Sequence, residues 1–291
     1  RRSVLEQCSR RYYYQYFGAS KNTARKEPAK ETLHFLKTRV QSRHLVSGST
    51  LHTVIKTYFL KTSEGDRWDA DRLVGFARKL YGESWNYSRQ HPDGRISPSE
   101  KYPPSLFQEY YYEVPESDQL CAVEEERLLG AVRSFATNEL YQNFRSAGVE
   151  NTSLVEKKIQ LDNFPCKAGG KIDLAFVENG SVSVLDWKLG YADGIGDESL
   201  QLAFYALWAI DHFACAPDCL RLCKVYLTSE EVVRFQLTTE ILASARTRIM
   251  QDAERMSLLE SYGGEAAAEA FSRCEKPLVC KDCLFRRVCH A

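Results

Sequence analysis

The chain has 291 residues, of which 44% are hydrophobic and 12% aromatic, and its formal net charge is zero. A chain of this size can bury a sizeable core, either as one large domain or as a core with a helical addition. No apolar stretch approaches the ~20 residues of a membrane span and no signal peptide is visible, which excludes an integral membrane protein and predicts a cytoplasmic one.

The N-terminal segment, residues 1–47, is basic and partly helical. Residues 1–45 hold 11 Lys or Arg against 3 Asp or Glu, a net of +8, which leaves −8 for the rest of the chain. Positive charge concentrated in one segment attracts phosphate groups without making the whole protein basic, although a solvated tail has the same composition. The segment also holds aromatic residues that suit either stacking on unpaired bases or a helix core: Tyr12, Tyr13, Tyr14, Tyr16 and Phe17.

The next element is a predicted helix over residues 48–61, in which serine and threonine capping candidates precede an apolar stripe. We expect His52 in its first turn, where a histidine is either a packed or capping residue or a metal ligand. Residues 62–147 are predicted to be a largely helical insertion, with a long helical pattern over residues 119–147.

Strands are expected in residues 153–189 and about 221–237. Within the first range, two runs rich in β-branched and aromatic residues flank Asn179-Gly180. This dipeptide favours a type I′ turn, so the two runs are predicted to form a hairpin with these residues at its centre.

The hairpin register gathers charged side chains in an otherwise apolar region. Asp173 is expected to face Asp186, and because side chains alternate between faces, Lys188 lies on the same side as Asp186. Opposed carboxylates repel each other, and a divalent cation such as Mg²⁺ or Mn²⁺ would remove the repulsion. A surface ion pair between Asp186 and Lys188 is the other interpretation. The same register sets Lys171 opposite Lys188, a like-charge pair that the sequence does not explain.

A helix with Asp197 as its N-cap is predicted next, since apolar residues recur along residues 198–214 with helical spacing. Gln201 and Tyr205 lie one turn apart on one face, which is either a solvated face or part of a site. The last long helical pattern covers residues 238–262.

Ten cysteines are present, and in a cytosolic protein they are not expected to form a disulfide framework. Three of them give C-x2-C-x5-C near the C-terminus, in a segment with little else to hold it folded: Cys280, Cys283 and Cys289. A metal or cluster is implied, and its fourth thiolate is expected from Cys8, which lies in an equally basic terminal context, with Cys274 as the substitute. Zinc and an iron-sulfur cluster both accept four thiolates.

Four motifs together resemble the PD-(D/E)XK nuclease superfamily in its RecB-like branch: G-x-x-x-H at residues 48–52, G-x-x-D at 170–173, D-x-K at 186–188 and Q-x-x-x-Y at 201–205. Each motif alone is weak, whereas their order and spacing are specific. The resemblance implies an α/β fold with a central mixed β-sheet flanked by helices, a restriction-endonuclease-like core with helical additions. The core would cover residues 48–262, and residues 263–291 would form a cysteine-rich segment packed with the N-terminus.

The resemblance also implies roles for individual residues. The metal, Mg²⁺ or Mn²⁺, would be held by His52, Asp173, Asp186 and the Trp187 carbonyl. Lys188 would act on the attacking water, and Gln201 and Tyr205 would help to hold the lysine and the nucleic acid. Glu156 resembles the first-strand glutamate of the family, and no role is assigned to it.

Nucleases of this branch that carry an iron-sulfur cluster, including CRISPR-associated and AddB-type exonucleases, use one cysteine before the core and three after it with the C-x2-C-x5-C spacing. The resemblance therefore implies a 4Fe-4S cluster on Cys8, Cys280, Cys283 and Cys289, with zinc as the alternative occupant. Such an iron-sulfur cluster would join the N-terminal and C-terminal segments of the chain.

These observations predict a metal-dependent deoxyribonuclease, expected to be an exonuclease on single-stranded or end-exposed DNA in repair, recombination or CRISPR adaptation. A non-catalytic DNA-binding or scaffold subunit is one alternative. The other is a nuclease module of a larger complex, which the start at Arg1 rather than Met and the neutral charge favour. DNA is the expected partner, with a helicase or CRISPR adaptation proteins as further partners.

Overall fold

The computed structural model describes residues 1–19, 28–94, 104–150, 153–162, 164, 166–191, 198–263 and 268–290. The chain divides into two compact units. The first unit contains Arg1–Arg43, Glu83–Ser117 and Asp252–Ala291, and the second contains His44–Gly82 and Asp118–Gln251. The division into three parts that the sequence suggested stays a prediction.

The α-helices of the described residues are α1 (Arg2–Gln7), α2 (Ser9–Tyr13), α3 (Pro28–Arg39), α4 (Arg43–Ser63), α5 (Ala70–Gln90), α6 (Gln108–Tyr111), α7 (Ser117–Thr137), α8 (Gln142–Glu150), α9 (Glu198–Phe213), α10 (Thr239–Gly263), α11 (Pro277–Lys281) and α12 (Arg286–Cys289). A π-helix over Tyr14–Gly18 follows α2 directly. The strands are β1 (Val40–Gln41), β2 (Leu106–Phe107), β3 (Leu154–Leu161), β4 (Ala168–Glu178), β5 (Ser181–Lys188), β6 (Leu220–Tyr226) and β7 (Glu231–Phe235). In this part of the chain, no helix combines the length and the apolar character needed to cross a membrane.

The second unit is built on a five-stranded mixed sheet with the strand order β3-β4-β5-β6-β7. β5 and β6 are parallel, and the other neighbouring pairs are antiparallel. Parallel neighbours need a crossover connection, and α9 lies in the chain between β5 and β6. The predicted α/β architecture, a mixed sheet flanked by helices, is confirmed.

Helices cover both faces of this sheet. On one face, Leu202, Ala206 and Leu207 of α9 join a buried cluster with the strand residues Val184 and Leu222. On the other face, the Trp187 ring packs edge-on against a ring of α7, with 5.4 Å between the centroids of Phe135 and Trp187. Burying one large apolar side chain contributes roughly 1.5–3 kcal/mol, so the two faces together stabilise the strands that carry the charged residues.

The β4–β5 hairpin has the register expected from the sequence. Its pairs run from Glu178–Ser181 to Leu174–Leu185, and the φ angles of Asn179 and Gly180 are 49° and 75°, both positive as a type I′ turn requires. The paired register ends at Leu174–Leu185, just before Asp173 and Asp186.

The helix that carries His52 begins earlier than expected. α4 starts at Arg43, so the prediction that His52 lies in the first turn was wrong, and the residue sits near the middle of the helix. Ser47 is buried inside the helix and hydrogen-bonds to Glu124 instead of capping it. The backbone N–H of Arg43 donates to the Glu109 carboxylate, at 3.2 Å from one oxygen. Asp197, the predicted cap of α9, lies outside the described residues.

The first unit buries most of the aromatic residues of the N-terminal helices. Tyr12, Tyr13 and Tyr14 are 0%, 8% and 5% exposed, and the ring centroids of Tyr13 and Phe271 are 4.9 Å apart. Tyr14 packs on Phe285, at 5.6 Å between centroids. Of the two uses considered for these three tyrosines, the structure shows the helix core and not a surface for bases.

Candidate active site and cysteine site

Three potential metal ligands from different elements meet in the second unit. One ligand atom each of His52 on α4, Glu156 on β3 and Asp173 on β4 lies within 4.8 Å of the other two. His52 Nδ1 is 3.0 Å from Glu156 Oε1 and 3.3 Å from Asp173 Oδ1. The two carboxylate side chains are only 5% and 8% exposed. An imidazole nitrogen and two carboxylate oxygens are a donor set that suits a divalent cation.

The register of β3 and β4 explains why Glu156 belongs to this group. Val155 pairs with Leu174 and Lys157 with Ile172, so Glu156 lies opposite Asp173. The φ angle of Glu156 is 51°, in the left-handed region that an L-residue enters only at a cost, and such strained backbone is concentrated at functional sites. The sequence left the role of Glu156 open because the pairing of β3 with β4 cannot be read from it.

The electrostatics of the group are those of a crowded acidic site. Burial and the charge of Asp186 raise the pKa of Asp173 to about 7, against the opposing effect of His52. Burial raises the pKa of Glu156, but the hydrogen bonds with His52 and Lys171 outweigh it and lower this pKa below the usual value. Burial lowers the pKa of His52, whereas Glu156 and Asp173 raise it more, so the net shift is upward. The upward pKa shifts of Asp173 and His52 both act against the accumulation of negative charge in the group.

Asp186 and Lys188 form a second group on β5. Lys188 Nζ lies 2.6 Å from Asp186 Oδ2, and Gln201 Nε2 of α9 donates a hydrogen bond to Asp186 Oδ1 at 3.1 Å. Lys188 also donates to Gln201 Oε1 at 3.4 Å. Within the part of the chain that the structure describes, Asp186 is not a member of the 4.8 Å group, since that group holds His52, Glu156 and Asp173.

Gln201 and Tyr205 connect α9 to both strands of the hairpin. Gln201 Nε2 donates to the Tyr205 hydroxyl at 2.7 Å, and this hydroxyl donates to the Lys171 carbonyl at 2.7 Å. Tyr205 is 4% exposed, so the solvated-face interpretation does not fit it. A Cβ atom on Gly170 would lie 2.8 Å from the Phe204 ring, which explains the glycine of the G-x-x-D pattern by close helix packing.

Trp187 and Lys171 also contact the carboxylates of the site. The backbone N–H of Trp187 donates to Asp173 Oδ2 at 2.7 Å, while the predicted role of the Trp187 carbonyl as a metal ligand stays a prediction. Lys171 forms an ion pair with Glu156, and Lys188 forms one with Asp186. Each lysine therefore has its own carboxylate partner, and the paired register of β4 and β5 ends before it reaches Lys171 and Lys188.

A separate cysteine site lies in the first unit. Cys8, Cys280, Cys283 and Cys289 line one cavity of about 60 Å³. Cys274, which was the substitute ligand, lines the same cavity, as do Arg11, Arg273 and Arg286. Burial and the neighbouring thiols of Cys274, Cys8 and Cys289 raise the pKa of the Cys280 thiol. The cysteines that the sequence grouped from opposite ends of the chain are thus brought together.

Backbone contacts hold the two ends in place around this cavity. Arg10 is 6% exposed, its Nε donates to the Phe271 carbonyl at 2.7 Å, and its backbone N–H donates to the Ser272 carbonyl at 2.9 Å. The backbone N–H of Arg11 donates to Cys8 Sγ at 3.3 Å. Thiolates that ligate a metal or cluster there would carry a large negative charge, and the surrounding arginines and N–H groups would offset part of it.

A family model described as the PD-(D/E)XK nuclease superfamily matches residues 1–290. Among solved structures, the chain is similar to a protein described as "Putative exonuclease" from Eubacterium rectale, with 14% sequence identity and a TM-score of 0.42 over 94% of this chain and 86% of that chain. A search of curated proteins found no match.

Proposed function

Because the chain belongs to the PD-(D/E)XK nuclease superfamily, we propose that it is a deoxyribonuclease that hydrolyses phosphodiester bonds with Mg²⁺ or Mn²⁺. The observation that carries this proposal is the convergence of His52, Glu156 and Asp173 beside the hairpin strand that presents Asp186 and Lys188. The RecB-like branch is supported by the order of the four sequence motifs.

The donor set fits a divalent cation. His52, Asp173 and Asp186, with the Trp187 carbonyl, are assigned as its ligands, and Glu156 is a further candidate because of its place in the 4.8 Å group. A divalent cation bound there would lower the pKa of a coordinated water and neutralise charge on the scissile phosphate. Burial and the charge of Asp186 raise the pKa of Asp173 to about 7, and a bound cation would lower this pKa by stabilising the carboxylate.

Lys188 is assigned the role of acting on the reacting groups. Its amine is held on one side by Asp186 at 2.6 Å and by Gln201 at 3.4 Å. An ammonium fixed in this way can donate a hydrogen bond to a phosphate oxygen or orient the attacking water. Tyr205 and Gln201 keep α9 attached to β4, so their function is to hold Lys188 and Asp186 in position.

The cysteine site supports a 4Fe-4S cluster that joins the chain ends, with zinc as the alternative. The four proposed ligands, one preceding the core and three following it, line one cavity together with Cys274, and three arginines around it suit an anionic cluster. The cluster is assigned a structural role, since hydrolysis at Asp186 requires no electron transfer. Exonuclease action on single-stranded or end-exposed DNA, and partnership with a helicase or CRISPR adaptation proteins, belong to the same proposal.

The test is incubation of anaerobically purified protein with DNA labelled at its 5′ or 3′ end, single- or double-stranded, in Mn²⁺ or EDTA. Cleavage in Mn²⁺ alone, lost in Lys188→Ala, is expected. Mononucleotides released from one labelled end would identify an exonuclease and its polarity. If the wild-type protein binds Mn²⁺ and DNA but cuts none of the substrates, the proposal of an enzyme is wrong and a non-catalytic scaffold subunit is supported.

A further inference from the structure

A row of aromatic and arginine side chains lies in the first unit, next to the C-terminal cysteine segment. The Arg286 guanidinium carbon lies 3.8 Å from the centroid of the Tyr112 ring, and that of Arg287 lies 5.3 Å from the Tyr111 ring. Tyr111 also packs on Phe35, with 5.9 Å between centroids. At these distances the arginines make cation–π contacts, which fix both the rings and the charges.

A second arginine–aromatic pair lies in the same unit. The Arg89 guanidinium carbon lies 4.6 Å from the centroid of Trp85, and Trp85 Nε1 donates a hydrogen bond to the Tyr110 hydroxyl at 2.6 Å. Tyr110 precedes Tyr111 in α6, so the backbone of this helix links the two pairs. We call the combined set the Tyr111 platform; it consists of Trp85, Arg89, Tyr110, Tyr111, Tyr112, Arg286 and Arg287.

One ring of the platform is buried, and its other rings are partly exposed. Tyr112 is 7% exposed, its hydroxyl donates to the Leu284 carbonyl at 2.5 Å, and burial raises its pKa to about 12. Trp85, Tyr110 and Tyr111 are partly exposed and Arg89 is exposed. The Arg287 side chain is 51% exposed, and it forms a long ion pair of 3.9 Å with Glu113, whose side chain is 86% exposed. Such an exposed pair contributes little and leaves Arg287 able to bind another anion.

We propose that the Tyr111 platform binds single-stranded DNA, with unpaired bases stacked on its partly exposed rings and phosphates bound by Arg89 and Arg287. Flat rings interleaved with fixed positive charges are the combination that binds single strands without sequence preference. A duplex keeps its bases stacked inside and would use the arginines alone. The inference rests on the proposed function, since it assigns the strand type of that enzyme's substrate. It also assigns base stacking to rings other than the buried tyrosines of the N-terminal helices.

Binding is measured by fluorescence anisotropy in EDTA, so that no cleavage occurs, with a labelled oligothymidylate and a duplex of the same length. Tyr111→Ala is expected to weaken single-strand binding about tenfold and duplex binding hardly at all. Tyr111→Phe keeps the ring and should bind like the wild type. Arg287→Gln should weaken binding of both probes and reduce the slope of log K against log salt by about 1.

Two controls make the result specific. Arg72 lies over Trp68 in the second unit, with 4.2 Å from its guanidinium carbon to the ring centroid. Arg72→Gln removes a matched arginine–aromatic pair and should leave single-strand affinity unchanged. An oligonucleotide of abasic sites removes the bases but keeps the phosphates, so wild type and Tyr111→Ala should bind it equally.

The platform is overturned if Tyr111→Ala binds oligothymidylate like the wild type, if it loses duplex binding to the same extent, or if polyglutamate competes as well as DNA. These results are distinct from failure of the proposed function. If the wild-type protein binds oligothymidylate through Tyr111 but never cuts it in Mn²⁺, the platform is supported and the proposed nuclease activity is wrong. If the wild-type protein cuts single strands and Tyr111→Ala cuts them with the same KM, the nuclease activity is supported and the platform is wrong.

Discussion

Asp173 accepts a hydrogen bond from the backbone N–H of Trp187 at 2.7 Å, so one carboxylate oxygen is bound to the strand that carries Asp186 and Lys188. Its other oxygen lies 3.3 Å from His52 Nδ1. The same carboxyl therefore joins α4, β4 and β5, and its position depends on backbone geometry rather than on a flexible partner. Asp173 is both a proposed metal ligand and a structural link, and the two roles can be separated experimentally.

Asp173→Asn should stabilise the metal-free fold at alkaline pH. Burial and Asp186 raise the folded-state pKa to about 7, above the value of about 3.9 in an unfolded chain. The protonated carboxyl thus stabilises the fold fully below about pH 4, and this contribution is lost as the pH rises through about 7. The Asn amide oxygen can still accept from Trp187, so the variant should gain about 1 kcal/mol or more over wild type at pH 8 in EDTA.

The measurement is a series of thermal melts from pH 5 to pH 8, with EDTA or Mn²⁺. The melting temperature of the wild type relative to Asp173→Asn should fall with rising pH in EDTA. Mn²⁺ should raise the melting temperature of the wild type more than that of the variant. An equal Mn²⁺-induced shift in both proteins would count against Asp173 as a ligand.

Glu156→Gln should weaken Mn²⁺ binding by at least about tenfold, because it removes a carboxylate from the group within 4.8 Å and breaks the ion pairs with His52 and Lys171. Isothermal titration calorimetry measures this affinity directly. Glu178→Gln, an exposed carboxylate at the end of β4, is the matched control and should bind Mn²⁺ like the wild type. Equal affinities in all three proteins would remove Glu156 from the site.

Lys188→Ala and Asp186→Ala should both lower the cleavage rate by about 10²–10³ or more, but only the second should weaken Mn²⁺ binding. The reason is that Lys188 supplies an amine and Asp186 a carboxylate, although they form one ion pair at 2.6 Å. Single-turnover cleavage and calorimetry on the same preparations separate the two effects. A Lys188→Ala protein that cuts DNA at the wild-type rate would disprove the role assigned to the lysine.

The hairpin was predictable in detail because it depends on local chemistry. Asn179 and Gly180 determine the turn, and alternation then assigns faces to the residues on either side. The position of Glu156 was not predictable, since the pairing of β3 with β4 is fixed by long-range packing. For the same reason the sequence misplaced the start of α4: its first N–H group is satisfied by Glu109, a residue far along the chain.

The N-terminal half of α4 is anchored by a second buried carboxylate. Glu124 on α7 is 3% exposed, its Oε2 lies 2.8 Å from His44 Nδ1, and it accepts hydrogen bonds from Ser47 and Arg127. Burial raises its pKa, but the hydrogen bonds with His44, Ser47 and Arg127 outweigh burial and lower the pKa to about 2. Since α4 also carries His52, this anchor supports the candidate site from a distance.

Glu124→Gln should therefore destabilise the fold by about 1–3 kcal/mol at neutral pH. A depressed carboxyl pKa stabilises the fold above the unfolded-state value of about 4.3, and the contribution is lost as the pH falls toward about 2. The difference in unfolding free energy between wild type and variant, measured in urea, should be constant from pH 8 to about pH 5 and shrink below about pH 4. Glu126→Gln, an exposed neighbour on α7, should unfold like the wild type.

The cysteine cavity predicts a brown protein with broad absorbance near ~400 nm. Cys8→Ala and Cys283→Ala should each bleach this colour, because each removes one of the four proposed ligands that line the cavity. Both variants should also expose the termini to protease and weaken DNA binding in a salt-dependent way, while the sheet of the second unit stays folded. Cys274→Ala is the matched control, since Cys274 lines the same cavity but is not assigned as a ligand, and it should remain brown.

Metal analysis of the same preparations distinguishes the two proposed occupants. Iron with no zinc is expected for the wild type and for Cys274→Ala. Zinc without iron would refute the cluster but keep the connection between the chain ends, because four thiolates bind zinc equally well. Full colour and unchanged proteolysis in Cys8→Ala would refute the connection itself, since no other described N-terminal cysteine lines the cavity. The contacts of Arg10 with Phe271 and Ser272 would then be what holds the ends together.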